Sequence, residues 1–154
     1  MNYETFVKHY LRDGLLKTQR CDFDAITKLI LRAQKELEAS VANLNIDEGI
    51  AYSVAYTAML RAGRALLQAK GFRPADGFQH KTVVEFVSFI MGATYKNLTK
   101  HFDIMRKKRN IFTYELTSTI SKTEAKNAIR YAEEFVNSVA NIIKKENPQT
   151  KFEF

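Results

Sequence analysis

The run Arg106-Lys107-Lys108-Arg109-Asn110, followed by Tyr114, concentrates the chain's capacity for chemistry in about two and a half helical turns. Successive helical residues step about 100° around the axis, so four consecutive cations cannot form one solvated stripe. At three-and-four spacing Arg106, Arg109 and Asn110 share a face, while Lys107 and Lys108 splay outward. Guanidinium groups hold phosphates bidentately and ammonium groups act as point charges, which suits the run to a phosphodiester backbone. A solvated basic helix end is the competing reading, because cations in a last turn also offset the helix dipole. Arg109 adds a constraint of its own. Leu98, Phe102, Met105 and Phe112 recur at helical spacing, and Arg109 occupies the slot between the last two. An interior-facing guanidinium is costly to bury unless acceptors meet it. Either a carboxylate such as Glu36 or Glu48 closes on it, or a bound anion does.

The other reactive side chains are dispersed. His9, His80 and His101 lie far apart, and none has a second histidine or a cysteine at ligand spacing. No metal site and no cofactor are therefore expected. His80 stands beside Lys81 near the start of a predicted helix, as a capping or packing residue or as part of a pocket. The single cysteine, Cys21, excludes an intramolecular disulfide and reads as a small apolar filler, in keeping with a reducing compartment. Glycine-rich phosphate loops, paired metal-binding histidines and nucleophile elbows are absent from the sequence.

These residues need elements to position them, and the apolar spacing predicts helix after helix. The 154 residues carry 45% hydrophobic and 27% charged side chains, enough for a substantial core in one domain spanning 1–154. A short amphipathic helix is expected over 3–12 and the core over about 22–146. Asp22 caps a long first helix with a seam of Phe23, Ile26, Ile30, Ala33, Leu37 and Leu44. Asp47 caps an alanine-rich second one, whose small residues permit close packing. The segment 71–77 reads as a loop, and a third helix carries Val83, Val87 and Ile90 before a break near Gly92. The basic helix then runs from about Tyr95 to Phe112. Ser121-Lys122-Thr123-Glu124 forms a capping box for the last helix, which stops at Asn147-Pro148 ahead of a loose tail, 147–154. No sustained period of two predicts a strand. The fold class is all-α, an antiparallel bundle of four to five helices. A net charge of +7 and a pI of about 9.5 favour polyanionic partners. No basic leader or apolar span of membrane length is present, so the expected setting is soluble and cytoplasmic, with no membrane partner.

The pattern Arg109-Asn110-Ile111-Phe112-Thr113-Tyr114, preceded by Met105-Arg106-Lys107-Lys108, resembles the signature of HEPN domains, in which an Arg-Asn pair is followed after three residues by histidine. The stretch from Ala51 to Leu67, then Gly71, Pro74 and His80, is similar to that family's second helix and the loop leading to its third. The resemblance implies a helical bundle, commonly a homodimer, whose active members cut RNA without metal. In those members, motif arginine and histidine from two subunits converge on the scissile phosphate. It assigns a catalytic role to Arg109, an orienting role to Asn110, and the histidine position to Tyr114. A phenol with a pKa near 10 is a poor general base at neutral pH, and losing the imidazole forfeits roughly 10²–10⁴-fold in rate. The expectation is thus a protein that binds RNA or a nucleotide in a dimer cleft lined by Arg106, Arg109, Asn110 and Tyr114, with Lys107 and Lys108 adding to the nucleic-acid-binding run, with little or no cleavage, in a toxin and antitoxin or phage-defence setting. Two alternatives stay open: a metal-independent endoribonuclease toxin, and an interaction partner of a small nucleotidyltransferase with Tyr114 as its acceptor hydroxyl.

Overall fold

Acidic and hydroxyl side chains start the long helices where the sequence places them. In the computed structural model, which describes residues 1–75, 79–115 and 119–154, Asp22 accepts hydrogen bonds from the backbone N–H groups of Asp24 and Ala25 at 3.0 and 3.2 Å. This begins α2 (Phe23–Asn43), after a short α1 (Tyr3–Arg12). Asp47 accepts from the Ile50 amide at 3.0 Å and begins α3 (Glu48–Ala69). Then come α4 (Gln79–Met91), a 3₁₀ turn over Ala93–Tyr95, and α5 (Lys96–Tyr114). The reciprocal bonds of Ser121 and Glu124, 3.0 and 3.3 Å, start α6 (Lys122–Glu146). Such caps satisfy amides that have no intrahelical partner, typically contributing about 1 kcal/mol each.

The helices form an antiparallel bundle around α3, which packs on α2, α4, α5 and α6. Its pairing with α2 is fixed by the Ser40 hydroxyl donating to the Ala51 carbonyl at 2.5 Å and by Arg61 reaching Glu36 at 3.1 Å. Its pairing with α5 is fixed by size. Gly49, Tyr56 and Gly63 stand seven residues apart on one face of α3, and Phe112, Arg109 and Phe102 descend α5 opposite them. A Cβ on Gly49 would lie 2.1 Å from the Phe112 ring, and one on Gly63 would lie 2.6 Å from Val83 Cγ1. The two glycines thus admit neighbouring side chains where any larger residue would force them away. Phe102, fully buried, rests 5.8 Å from the Tyr56 ring and 4.9 Å from that of Phe135 on α6.

Three expectations need correction. Two short strands are present: β1 (Leu16–Thr18) pairs antiparallel with β2 (Phe72–Pro74), with Lys17 opposite Arg73. Three residues are too few to display a period of two, and β2 falls in the segment 71–77 read as a loop, of which 76–77 lie outside the described residues. The tail 147–154 is not loose. Phe152 packs edge-on against Phe23 at 5.7 Å and stacks on Phe154, over which Lys144 Nζ sits at 5.2 Å. Cys21 is exposed rather than filling the core.

A cationic cluster around Tyr56 and His80

The α3–α5 pairing delivers Arg109 to a place where no carboxylate answers it. Its guanidinium carbon lies 6.0 Å from the centre of the Tyr56 ring, within reach of a cation–π interaction. Glu36, offered by the sequence as a partner, is already held by Arg32 at 3.2 Å and Arg61 at 3.1 Å. Glu48 does not reach it either, and among the described residues no acidic side chain forms an ion pair with Arg109.

Tyr56 is almost completely buried, and its hydroxyl is 2.9 Å from His80 Nδ1. This bond ties the first turn of α4 to the middle of α3. Arg64, two turns beyond Tyr56 on α3, donates from Nη2 to Gln79 Oε1 at 2.9 Å, and its buried Nε has no partner among the described residues. An amide acceptor leaves the guanidinium's charge intact. Arg64, Arg106 and Arg109 therefore all act on the same Tyr–His pair. Burial pushes the Tyr56 phenol up to about 12 against the opposing pull of Arg109, Arg106 and Arg64. Burial, followed by the fields of Arg109, Arg64 and Arg106, holds His80 below the ordinary histidine range. Both groups are kept neutral while the cations around them stay charged, which makes a concentrated positive potential with hydrogen-bonding groups at its centre.

The rest of the basic run divides. Arg106 points inward but is partly neutralised by Asp103, at 3.0 and 3.1 Å. Lys107 Nζ binds the other Asp103 oxygen at 3.0 Å, and Lys108 Nζ pairs with Glu124 across on α6 at 3.4 Å. Burial raises the Asp103 carboxyl, yet the bonds from Lys107 and Arg106 outweigh it and leave the group below its usual range. Lys107 and Lys108 do splay away from Arg109, as the helical geometry requires, and Lys108 then serves to join helices. Asn110 is half-buried. Tyr114 does not join Arg109 in a cleft within one chain: it is 82% exposed, and five residues on it stands about 140° around the helix. His80, in contrast, belongs to the cluster.

The chain matches the model of the HEPN domain over residues 26–143. It belongs to the HEPN domain family. The match runs from the first turn of α2 to the last of α6 and includes every member of the cluster. No curated protein matches the sequence. Three members of this HEPN site, Tyr56, Arg64 and Gln79, were not singled out by the sequence reading. The available signals were Tyr56 between two glycines at seven-residue spacing and an arginine, Arg64, inside the alanine-rich stripe. Among the described residues no group of three or more histidine, cysteine or acidic side chains could hold a metal ion. No helix of the described residues is long and apolar enough to cross a membrane.

Proposed function

We propose that this HEPN domain binds RNA, with one backbone phosphate seated between Arg109, Arg64 and the Tyr56–His80 pair. The observation that supports this reading is that among the described residues no carboxylate pairs with Arg109, although Glu36 is close enough to α3 to engage Arg61 one turn before Arg64. Cations left without counter-charge around neutral hydrogen-bonding groups fit an anion that arrives from outside. A phosphodiester supplies one negative charge and two acceptor oxygens, matching guanidinium donors and an imidazole N–H.

Binding without efficient cleavage is the form of the function that the side chains favour. In-line attack by a ribose 2′-hydroxyl needs a base to take its proton and an acid to protonate the leaving oxygen. Tyr114 is a phenol outside the cluster, Tyr56, with a pKa pushed up to about 12, is a poor base at neutral pH, and a His80 that donates its Nε2–H to the phosphate has its one lone pair, on Nδ1, taken by the Tyr56 hydroxyl. A homodimer acting in the cytoplasm, within a toxin and antitoxin or phage-defence system, is the setting proposed. The test is titration of labelled single-stranded RNA in metal-free buffer. Binding that weakens with salt, weakens further in Arg109→Ala and proceeds with the RNA intact supports the proposal; equal affinity of the variant removes it. Cleavage abolished by Arg109→Ala would establish the endoribonuclease reading instead.

The exposure of Tyr114 favours one second reading, in which a small nucleotidyltransferase joins its hydroxyl oxygen to the α-phosphorus of a nucleoside triphosphate, with pyrophosphate leaving and the phenolic proton passing to solvent. A buried phenol could not enter another enzyme's active site, whereas one that is 82% exposed near the end of α5 can. Mass spectrometry after incubation with such an enzyme and a nucleoside triphosphate, with Tyr114→Phe as the control, decides it.

A further inference from the structure

Arg106 also lines a groove of about 680 Å³ bounded by α1, α4 and α5. Five cations line it, Lys81, Lys96, Lys100, Arg106 and Lys107, against two carboxylates, Glu85 and Asp103. The carboxylates are already engaged. Asp103 is shared by Arg106 and Lys107, while Glu85 accepts the Tyr10 hydroxyl and faces Lys81 Nζ at 3.8 Å. Lys96 and Lys100, exposed and one turn apart on α5, form no ion pair among the described residues. Along the same helix Lys96, Lys100, Asp103 and Lys107 follow three-and-four spacing, so three lysines share one face with a single carboxylate that Arg106 and Lys107 already engage. The groove also has an aromatic side: Phe89 is stacked on Phe6 with ring centres 4.2 Å apart, and Tyr10 lies 4.3 Å from Phe6. Arg106 joins this groove to the cluster, since it lines the one and acts on Tyr56 and His80 in the other.

We infer that the α4–α5 groove is the track for the RNA strand adjoining the phosphate at Arg109, holding its backbone on Lys96 and Lys100 and a base against the aromatic side. This rests on the function proposed above and adds where the strand runs. A volume of this size lies within the range of about 300–1,000 Å³ that takes small ligands, enough for a nucleotide unit but not for a duplex. Unpaired cations beside aromatic rings are the combination that recognises single strands, because phosphates need the charge and unstacked bases need a π-face. An acidic protein segment would use the lysines and leave the rings without a role.

Fluorescence anisotropy with a single-stranded hexaribonucleotide and with a dinucleotide, across a range of salt, tests the track. The variants are Lys96→Ala/Lys100→Ala, Phe89→Leu and Arg109→Ala. The double lysine variant is expected to bind the hexamer about tenfold more weakly, to lower the salt slope by about 1.4 for two lost phosphate contacts, and to bind the dinucleotide as the wild type does. Phe89→Leu weakens the hexamer at an unchanged salt slope, and Arg109→Ala weakens both ligands. Wild-type hexamer affinity in the lysine variant, with Arg109→Ala still impaired, overturns the track and keeps the phosphate site. The converse, in which only the lysine variant is impaired, overturns the phosphate site and leaves the groove as a separate binding surface. Displacement of the hexamer by an equal charge of polyglutamate at the same concentration overturns the RNA assignment in favour of an acidic protein segment.

Discussion

Arg61 and Arg64 are one turn apart on α3, and their surroundings could hardly differ more. Arg61 reaches across to α2 and closes on Glu36, a buried carboxylate that also holds Arg32, so each of these cations has a negative charge beside it within the protein. Arg64 reaches towards α4, finds only the Gln79 amide, and shares its neighbourhood with Arg106, Arg109 and a neutral Tyr56–His80 pair. The first arrangement links two helices through one carboxylate oxygen, Glu36 Oε1, while its buried Oε2 has no hydrogen-bond partner among the described residues. The second leaves charge uncompensated at a half-buried position, which costs stability and is the ground on which a bound phosphate is proposed there. Half-burial of an arginine thus says little about its purpose until its acceptors are counted.

The largest expected effect comes from removing the support of the cationic cluster while leaving the Glu36 pairing untouched. Phe102 lies under Tyr56 and against Phe135, fully buried. Phe102→Ala should lower stability by about 3–5 kcal/mol, the lost transfer free energy plus the cavity left behind. Urea unfolding gives the number. Phe102→Leu, a milder change that keeps the fold, should weaken RNA binding by letting Tyr56 and His80 shift; retention of full affinity in a folded Phe102→Leu protein would separate the cluster from the core beneath it.

Truncation of Glu36 attacks the other side of the comparison. Glu36→Ala leaves Arg61 and Arg32 without a partner and should cost about 1–3 kcal/mol, less than a fully enclosed pair, because their side chains retain 37% and 64% exposure. RNA affinity should not change. A loss of affinity as large as that of Arg109→Ala would show that the two sites are not independent.

The distinction between the sites marks the limit of what could be read in the sequence. The caps at Asp22, Asp47 and Ser121, the apolar seams and the special position of Arg109 are local, periodic signals, and they carried the bundle into view. Resemblance to HEPN domains added the family. Partners brought together from distant positions are another matter. Tyr56 meets His80 across 24 residues, and Arg61 meets Glu36 across 25, through packing that no spacing rule announces. The same holds for Lys108, whose pairing with Glu124 on α6 joins positions 16 residues apart. Tyr114 keeps the motif's register, and its exposure puts it outside the cluster of its own chain, so that it could meet an Arg109 only across two subunits.

Arg109→Ala should separate function from stability. Loss of one well-placed phosphate contact is expected to weaken RNA about tenfold, or about 1.4 kcal/mol, and to reduce the salt slope by about 0.7. Thermal unfolding should stay level or rise slightly, because the variant removes like-charge repulsion from Arg64 and Arg106. A clear fall in stability at unchanged affinity would place Arg109 in the same class as Arg61.

The smallest effect is a pH dependence that belongs to the cationic cluster and has no counterpart at Glu36. Burial first, then Arg109, Arg64 and Arg106, hold His80 below its ordinary value, so the folded protein keeps it neutral where an unfolded chain, with a histidine pKa near 6.5, begins to take up a proton. The unfolded state binds more protons in that window, and the stability contributed by neutral His80 is therefore present above about pH 6.5 and lost as pH falls towards the folded pKa. A bound phosphate reverses the local field and favours the imidazolium, so RNA affinity should strengthen, by about threefold, over the same acid window. His80→Gln removes the titrating group while the side-chain amide can still meet the Tyr56 hydroxyl, and should flatten both trends together. His101 is also held below its ordinary value by burial and then by Lys100 and Arg130, but its ring stacks on Tyr131 and no cation of the cluster acts on it. An acid strengthening of RNA binding that survives in His80→Gln would therefore have to arise outside the cluster, and would take from it the one property that Arg61 and Glu36 cannot imitate.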